Sequence, residues 1–89
     1  MRFKILYSEK ALRDLRKLGH IVAKDIDRKI EFYVKSGHPL KYAKKLEPPL
    51  DNFYRFRVGE YRVIFMIDSK GGALLLTILK IGHRREVYE

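Results

Sequence analysis

The sequence predicts an α+β fold in which two helices pack on a small, mainly antiparallel β-sheet, in the chain order β-α-α-β-β-β. Three observations carry this prediction. Apolar residues recur at helical spacing between residues 11 and 33, and they alternate with basic residues from residue 54 onward. A two-residue turn signal, Gly59-Glu60, divides the alternating stretch into the two strands of a hairpin. The 89 residues form one domain, 1–89, with no room for a second core.

The N-terminal half is predicted to contain one strand and two helices. Phe3, Ile5 and Tyr7 alternate with Lys4 and indicate the first strand. Ser8 is placed to cap a first helix, which Gly19 ends. A second helix is expected from about Ile21 to Ser36, and Pro39 prevents the chain from resuming it.

The C-terminal half is predicted to contain an irregular segment and three strands in a meander. Residues 38–52 include three prolines, so helix there is limited to a turn or two within 40–46. The hairpin follows, and a second turn signal lies at 68–72. The apolar run 73–81 is expected to form a central strand. The sequence leaves the pairing of the first strand open.

The composition is strongly basic, with 20 Lys and Arg against 11 Asp and Glu and a net charge of +9. On so small a domain this excess favours binding to nucleic acid or to an acidic protein, and the alternative is an ordinary solvated basic surface. Charged residues at 35% argue against a membrane span, and residues 1–7 are too short and too mixed for a signal peptide. The chain has no cysteine, hence no disulfide or thiolate metal site, which is compatible with a cytoplasmic protein.

The hairpin carries the strongest functional signal. With a two-residue loop, Arg57 faces Arg62 and Arg55 faces Ile64, so the three arginines share the face opposite to the apolar one. Like charges directly opposite each other destabilise a sheet. Something outside the fold is therefore expected to compensate for this cost, and a polyanion is the leading candidate.

Other kinds of site find little support. The three histidines, His20, His38 and His83, are scattered without a second ligand at i+3 or i+4, so no metal site is expected. The sequence contains no Walker loop, Rossmann glycine motif or nucleophile elbow. Chemistry would have to come from arginine, lysine and the C-terminal segment, Gly82–Glu89.

The ordered set of motifs resembles the RelE/ParE toxin superfamily. A helical hairpin is followed by the basic strand, by Tyr61-Arg-Val-Ile-Phe65, by Ile81-Gly-His-Arg84 and by Val87-Tyr88, so the resemblance spans nearly the whole chain. It implies one of two activities. RelE-like members are endoribonucleases that enter the ribosomal A site and cut messenger RNA, whereas ParE-like members lack that activity and poison DNA gyrase.

The resemblance also implies the catalytic positions. The two cations of the RelE-like basic strand fall on Arg55 and Arg57, the arginine of the next strand on Arg62, and the C-terminal arginine and tyrosine on Arg84 and Tyr88. ParE-like members often lack the terminal tyrosine or the paired cations. The full set, and Tyr88 above all, therefore favours the ribonuclease branch.

General chemistry suggests what these residues do. Attack by the RNA 2′-hydroxyl needs a base, an acid and stabilisation of the charge on phosphorus. A guanidinium, with a pKa above about 12, transfers protons poorly but binds phosphate oxygens in bidentate fashion. Arg62 and Arg84 are assigned to the scissile phosphate, and Arg55 and Arg57 to it or its neighbours. Tyr88 is the candidate base or acid, because clustered cations favour tyrosinate.

Alternatives stay open for several of these residues. Glu47 and His83 form a second candidate acid–base pair, because some relatives of the family use a carboxylate and a histidine. Tyr88 could be an aromatic in a frayed tail, and Arg55 and Arg57 could pair with acids of a partner. General RNA contacts are predicted at Lys44, Lys45, His83 and Arg85, and a one-residue shift would exchange Arg85 with Arg84.

The resemblance finally implies partners. These are a cognate antitoxin that wraps the protein through an acidic or amphipathic segment, the ribosome and its message, and operator DNA contacted through the antitoxin complex. No metal or organic cofactor is needed. The alternatives are a gyrase inhibitor of the ParE type and a plain basic nucleic-acid-binding module. Codon preference and the antitoxin's identity do not follow from the sequence.

Overall fold

In the computed structural model, which describes residues 2–87 with side chains through Arg85, two helices cover one face of a five-stranded sheet. The elements are β1 (Phe3–Tyr7), α1 (Glu9–Leu18), α2 (His20–Lys35), a short 3₁₀ helix (Pro39–Tyr42), β2 (Ala43–Lys45), β3 (Tyr54–Val58), β4 (Tyr61–Lys70), β5 (Ala73–His83) and α3 (Arg84–Val87). Across the sheet the order is β1-β5-β4-β3-β2. The α+β prediction is confirmed.

The sheet is mixed. β1 runs parallel to β5, and every other neighbouring pair is antiparallel. The predicted meander is therefore β3-β4-β5, with β5 in the interior of the sheet. The structure adds β2, a three-residue edge strand within the segment that was predicted to be irregular.

The two helix boundaries predicted from capping are confirmed. The Ser8 hydroxyl accepts a hydrogen bond from the Ala11 amide at 3.0 Å, and it donates one to the Leu79 carbonyl at 3.1 Å. Ser8 thus caps α1 and fastens it to β5 at the same time. Gly19 ends α1 with φ of +87°, a conformation that glycine adopts without a Cβ penalty, and α2 starts at the next residue.

The core lies between the two helices and the sheet. Phe56 and Phe65 stack at its centre with ring centroids 4.2 Å apart. Both rings are fully buried, and their strands contribute the alternating apolar residues predicted from the sequence. The other buried residues of this core cluster are Ala11, Ile26, Ile30, Val34, Val58, Val63, Leu76, Ile78 and Ile81. Within residues 2–87, no helix has the length and apolar character needed to cross a membrane.

A β-bulge in β5 shifts the register of its C-terminal end. Ile64 pairs with Lys80, whereas the next residue, Phe65, pairs with Ile78, so Leu79 is the extra residue. Helix α1 and its cap contact this part of β5 through Ser8 and through Asp14, which is only 8% exposed. The Asp14 carboxylate accepts a hydrogen bond from the Ile81 amide at 2.9 Å.

We expect Tyr7→Phe to lower the free energy of unfolding by about 1 kcal/mol near neutral pH, the usual contribution of one hydrogen bond. The Tyr7 hydroxyl donates to Asp27 of α2. Burial, then the Asp27 hydrogen bond and the Asp27 and Glu31 charges, raise the pKa of Tyr7 well above its usual value. Unfolded Tyr7 ionises above about pH 10 while the folded residue keeps its proton, so wild-type stability falls as pH rises through that range.

Urea unfolding between pH 7 and 11 tests this expectation. The stability of Tyr7→Phe should fall less steeply with rising pH than that of wild type. The stability of Tyr42→Phe, which alters an exposed tyrosine of the 3₁₀ helix, should fall with the wild-type slope. An alkaline slope of Tyr7→Phe equal to that of wild type would contradict it.

Candidate nucleic-acid interface

The predicted hairpin places its arginines on one face of the sheet. Arg57 pairs with Arg62 and Arg55 with Ile64, as the two-residue loop requires. Gly59 has φ of +58°, and no residue other than glycine has a positive φ in the described chain, the pattern of a type II′ turn. The hairpin register predicted from the sequence is therefore confirmed.

Arg62 is the buried centre of this group. It is only 7% exposed, whereas Arg57 is exposed and Arg55 half-buried. Burial lowers the pKa of Arg62, and the positive charges of Arg57, Arg55 and Arg84 lower it further; the carboxylate of Glu60 acts in the opposite direction. The Arg62 Nη1 atom donates to the Tyr61 carbonyl at 3.3 Å. We call Arg55, Arg57, Arg62 and Arg84 the arginine cluster.

Arg84 lies beside the cluster because its backbone is hydrogen-bonded to the hairpin turn. This contact is made at the point where β5 passes into α3. The Arg84 amide donates to the Glu60 carbonyl at 2.9 Å. The Arg84 Nε lies 3.9 Å from Glu60 Oε2. In β5, the residue directly opposite Arg62 is Gly82, which has no side chain on that face. The site therefore combines two strands and the first residue of α3.

A groove continues the cationic surface toward the sheet edge. It encloses about 440 Å³ and is lined by Lys44, Lys45, Leu46, Glu47, Leu50 and Arg55. In the register of β2 and β3, Lys44 lies directly opposite Arg55. The structure thus brings the predicted contact Lys44 beside the cluster. Lys45 pairs with Tyr54 instead, and it lines the same groove as Glu47.

His83 lies on the other face of the sheet. It pairs with Tyr61, and the two rings meet edge to face with centroids 6.0 Å apart. Together with Ile26 of α2, they line a groove on the helix side. The structure therefore separates His83 from Glu47, its alternative acid–base partner, because the two line different grooves.

The rest of the predicted tail is placed in part. The Arg85 side chain is exposed, and its amide donates to His83 Nδ1 at 3.3 Å. The structure distinguishes Arg84 from Arg85, since the charge of Arg84 acts on Arg62 and Arg84 contacts Glu60. Tyr88 lies outside the described residues. Within the described part of the chain, no three His, Asp or Glu residues are grouped as metal ligands would be.

The sequence interpretation missed two acidic residues of this region. The sequence indicates only a turn role for Glu60, whereas the structure joins the hairpin turn to the end of β5 through the Arg84 amide and the Glu60 carbonyl. Asp14 lies on the predicted apolar face of α1, between Ala11 and Leu18 at helical spacing. A carboxylate at such a position indicates a buried polar contact, because acidic residues are rarely buried without a partner.

Comparisons with known proteins agree with this architecture. The family model described as ParE toxin of type II toxin–antitoxin system, parDE, matches residues 5–88. Toxin RelG of Mycobacterium tuberculosis is 30% identical over 89 residues, which cover 99% of this chain and 98% of that protein.

Solved structures extend the likeness. A chain of the toxin–antitoxin complex RelBE2 from M. tuberculosis is 27% identical with a TM-score of 0.77, covering 94% of this chain and 100% of that one. A mutant of E. coli toxin RelE in the free state shares the fold, with a TM-score of 0.71 at 19% identity over 99% of this chain and 90% of that one. The chain therefore belongs to the RelE/ParE superfamily, as a toxin of the type II toxin–antitoxin class.

Proposed function

We propose that this toxin is a ribosome-dependent endoribonuclease that cleaves messenger RNA in the A site, without a metal, and so inhibits translation. The observation that carries the proposal is the buried Arg62 guanidinium surrounded by the charges of three further arginines. Repulsion among these like charges destabilises the fold, and a bound phosphate would relieve it. The relatives' RelE-type names support the same branch.

The proposed mechanism rests on charge stabilisation. Arg62 and Arg84 bind the non-bridging oxygens of the scissile phosphate and stabilise the charge that builds there during attack by the 2′-hydroxyl. Arg55 and Arg57 bind the same phosphate or its neighbours. Tyr88 acts as the base that takes the 2′-hydroxyl proton or as the acid that protonates the departing 5′-oxygen, because clustered cations lower the cost of forming tyrosinate. Such a site is slow by itself and gains most when the ribosome holds the RNA in line, since orientation contributes about 7–11 kcal/mol.

The RNA strand extends from the cluster into the groove beside it. Lys44 and Lys45 contact its phosphates there, and Arg85 adds a contact near α3. Such contacts are independent of sequence and weaken with salt. His83 is left out of this set, because its ring packs on Tyr61 on the helix side of the sheet.

The antitoxin is the second proposed partner. The similar RelBE2 structure is a toxin–antitoxin complex. A net charge of +9 suits an acidic or amphipathic segment that wraps the toxin in the cytoplasm. Operator DNA is contacted mainly by the antitoxin of that complex.

A second candidate function is inhibition of DNA gyrase, which the ParE name of the matching family model favours. Purified ribosomes carrying a defined message in the A site separate the two. Cuts in the A-site codon support the nuclease, whereas an intact message together with arrested supercoiling by gyrase supports the inhibitor. A third alternative is a plain basic binding module. Under it, Tyr88→Phe would leave nucleic-acid binding nearly unchanged.

We expect Arg84→Ala to lower the rate of A-site cleavage by about 10²-fold or more, since it removes a charge-stabilising donor. Arg85→Ala is the matched control, because it removes the same charge from the adjacent exposed residue. It should weaken RNA binding modestly and in a salt-dependent way. Circular dichroism should show both variants folded. Equal losses of cleavage in the two variants would contradict the assignment.

A further inference from the structure

Among the described side chains, Glu60 contributes an acidic group to the arginine cluster. Its backbone carbonyl accepts from the Arg84 amide, and its carboxylate faces the Arg84 guanidinium. The same carboxylate is the negative charge that offsets the three positive charges acting on Arg62. One residue of the hairpin turn thus contacts Arg84 and acts electrostatically on Arg62, two residues away in β4.

The two contacts differ in strength. The backbone hydrogen bond of 2.9 Å joins the hairpin turn to the chain just after β5, so it fixes where α3 begins. The carboxylate contact is long, 3.9 Å, and joins side chains that are 59% and 46% exposed. Exposed ion pairs of this kind contribute little to stability and are readily exchanged for another anion.

From this geometry we propose that Glu60 is a built-in counter-anion of the phosphate site. In the free protein its carboxylate holds the Arg84 guanidinium, and the incoming RNA phosphate displaces it while the backbone hydrogen bond keeps α3 in place. Glu60 is thus a positioning residue that limits affinity for the anion. The inference rests on the proposed function, because it takes the cluster to be the phosphate site.

Glu60→Gln is the direct test, because it removes the charge and keeps the backbone carbonyl and the shape of the side chain. A fluorescent 2′-O-methyl RNA hexamer, which cannot be cut, is titrated with the full chain and followed by anisotropy. We expect Glu60→Gln to bind the hexamer about 2–5-fold more tightly, in line with the small energy of an exposed ion pair. The slope of log affinity against log salt should steepen by up to about 0.7, the value for one further phosphate contact on a single strand.

Glu31→Gln is the matched control. It removes one negative charge, like the test variant, from a carboxylate paired with Lys35 at 2.7 Å on α2. It should leave the affinity close to that of wild type. In Glu60→Gln/Arg84→Gln, the gain should disappear, because the freed guanidinium is gone. A purely structural role for Glu60 predicts the opposite sign, namely weaker binding when the turn loosens.

The outcomes distinguish a failure of the counter-anion role of Glu60 from a failure of the phosphate site itself. Weaker or unchanged binding by Glu60→Gln, or an equal gain in Glu31→Gln, overturns the counter-anion role. Persistence of the gain in the double variant overturns it as well. Hexamer binding that is indifferent to Arg62→Ala would instead overturn the phosphate site itself and the proposed function with it.

Discussion

Arg62→Met is expected to stop RNA cleavage while it raises the stability of the fold. The guanidinium is 7% exposed and lies within reach of the charges of three other arginines. Methionine matches the unbranched stem and can fill the same space without a charge. Replacing a buried charge by an apolar side chain of similar volume is often stabilising. We expect a gain of about 1 kcal/mol in the free energy of unfolding, at the lower end of that range.

The loss of function should be large. The charges of the other three arginines act on Arg62, and its removal takes away a donor of the proposed phosphate site. Loss of one such donor lowers the rate by about 10²–10³-fold in enzymes that stabilise an oxyanion. Opposite changes in activity and stability would show that the sequence retains a destabilising residue for its function.

Urea unfolding at low and high ionic strength measures the stability change. The gain should shrink at high salt, because salt screens repulsion between like charges. Lys24→Met is the matched control, since it removes one positive charge from an exposed position of α2. An equal gain in Lys24→Met would assign the effect to net charge alone. A less stable Arg62→Met would show that the guanidinium supports the fold.

Inorganic phosphate offers an independent measure of the same site. A ligand that binds the folded state alone raises stability according to its concentration and dissociation constant. Phosphate should therefore raise the melting temperature of wild type more than that of Arg62→Met. The same shift in both proteins would place phosphate away from the cluster.

The parts of the fold that local rules determine were predictable. A two-residue loop with glycine fixes the register of β3 and β4, so the opposition of Arg57 and Arg62 could be predicted from the sequence. The helix ends followed in the same way from Ser8 and Gly19. The parallel pairing of β1 with β5 could not, because it joins segments about 70 residues apart that carry no local signal.

The candidate site was predictable up to the point where β5 departs from regular alternation. Counting by twos from Leu76 and Ile78 would place Gly82 on the core side and His83 on the outer face. The bulge at Leu79 shifts the later residues by one, so His83 turns toward α2 and Gly82 lies opposite Arg62. Bulges depend on tertiary contacts, and this one is held by a helix.

Asp14→Ala should therefore lower the free energy of unfolding more than removal of an ordinary exposed polar side chain from a helix would. It removes the acceptor of the buried Ile81 amide just after the bulge, and an unsatisfied buried donor costs about 1–3 kcal/mol. The loss of the Lys10 contact adds little, because that lysine is half exposed. We expect the free energy of unfolding to fall by about 2 kcal/mol, with faster hydrogen exchange at the Ile81 amide.

Two variants identify the cause. Asp14→Asn keeps an oxygen that can accept from Ile81 and should lose less than half as much, whereas Lys10→Ala should cost no more than about 0.5 kcal/mol. Equal losses in Asp14→Ala and Lys10→Ala would assign the effect to the ion pair on the helix surface. Because β5 leads directly into Arg84, loosening of the bulge should also weaken RNA binding by Asp14→Ala, although Asp14 lies on α1 and is not part of the arginine cluster.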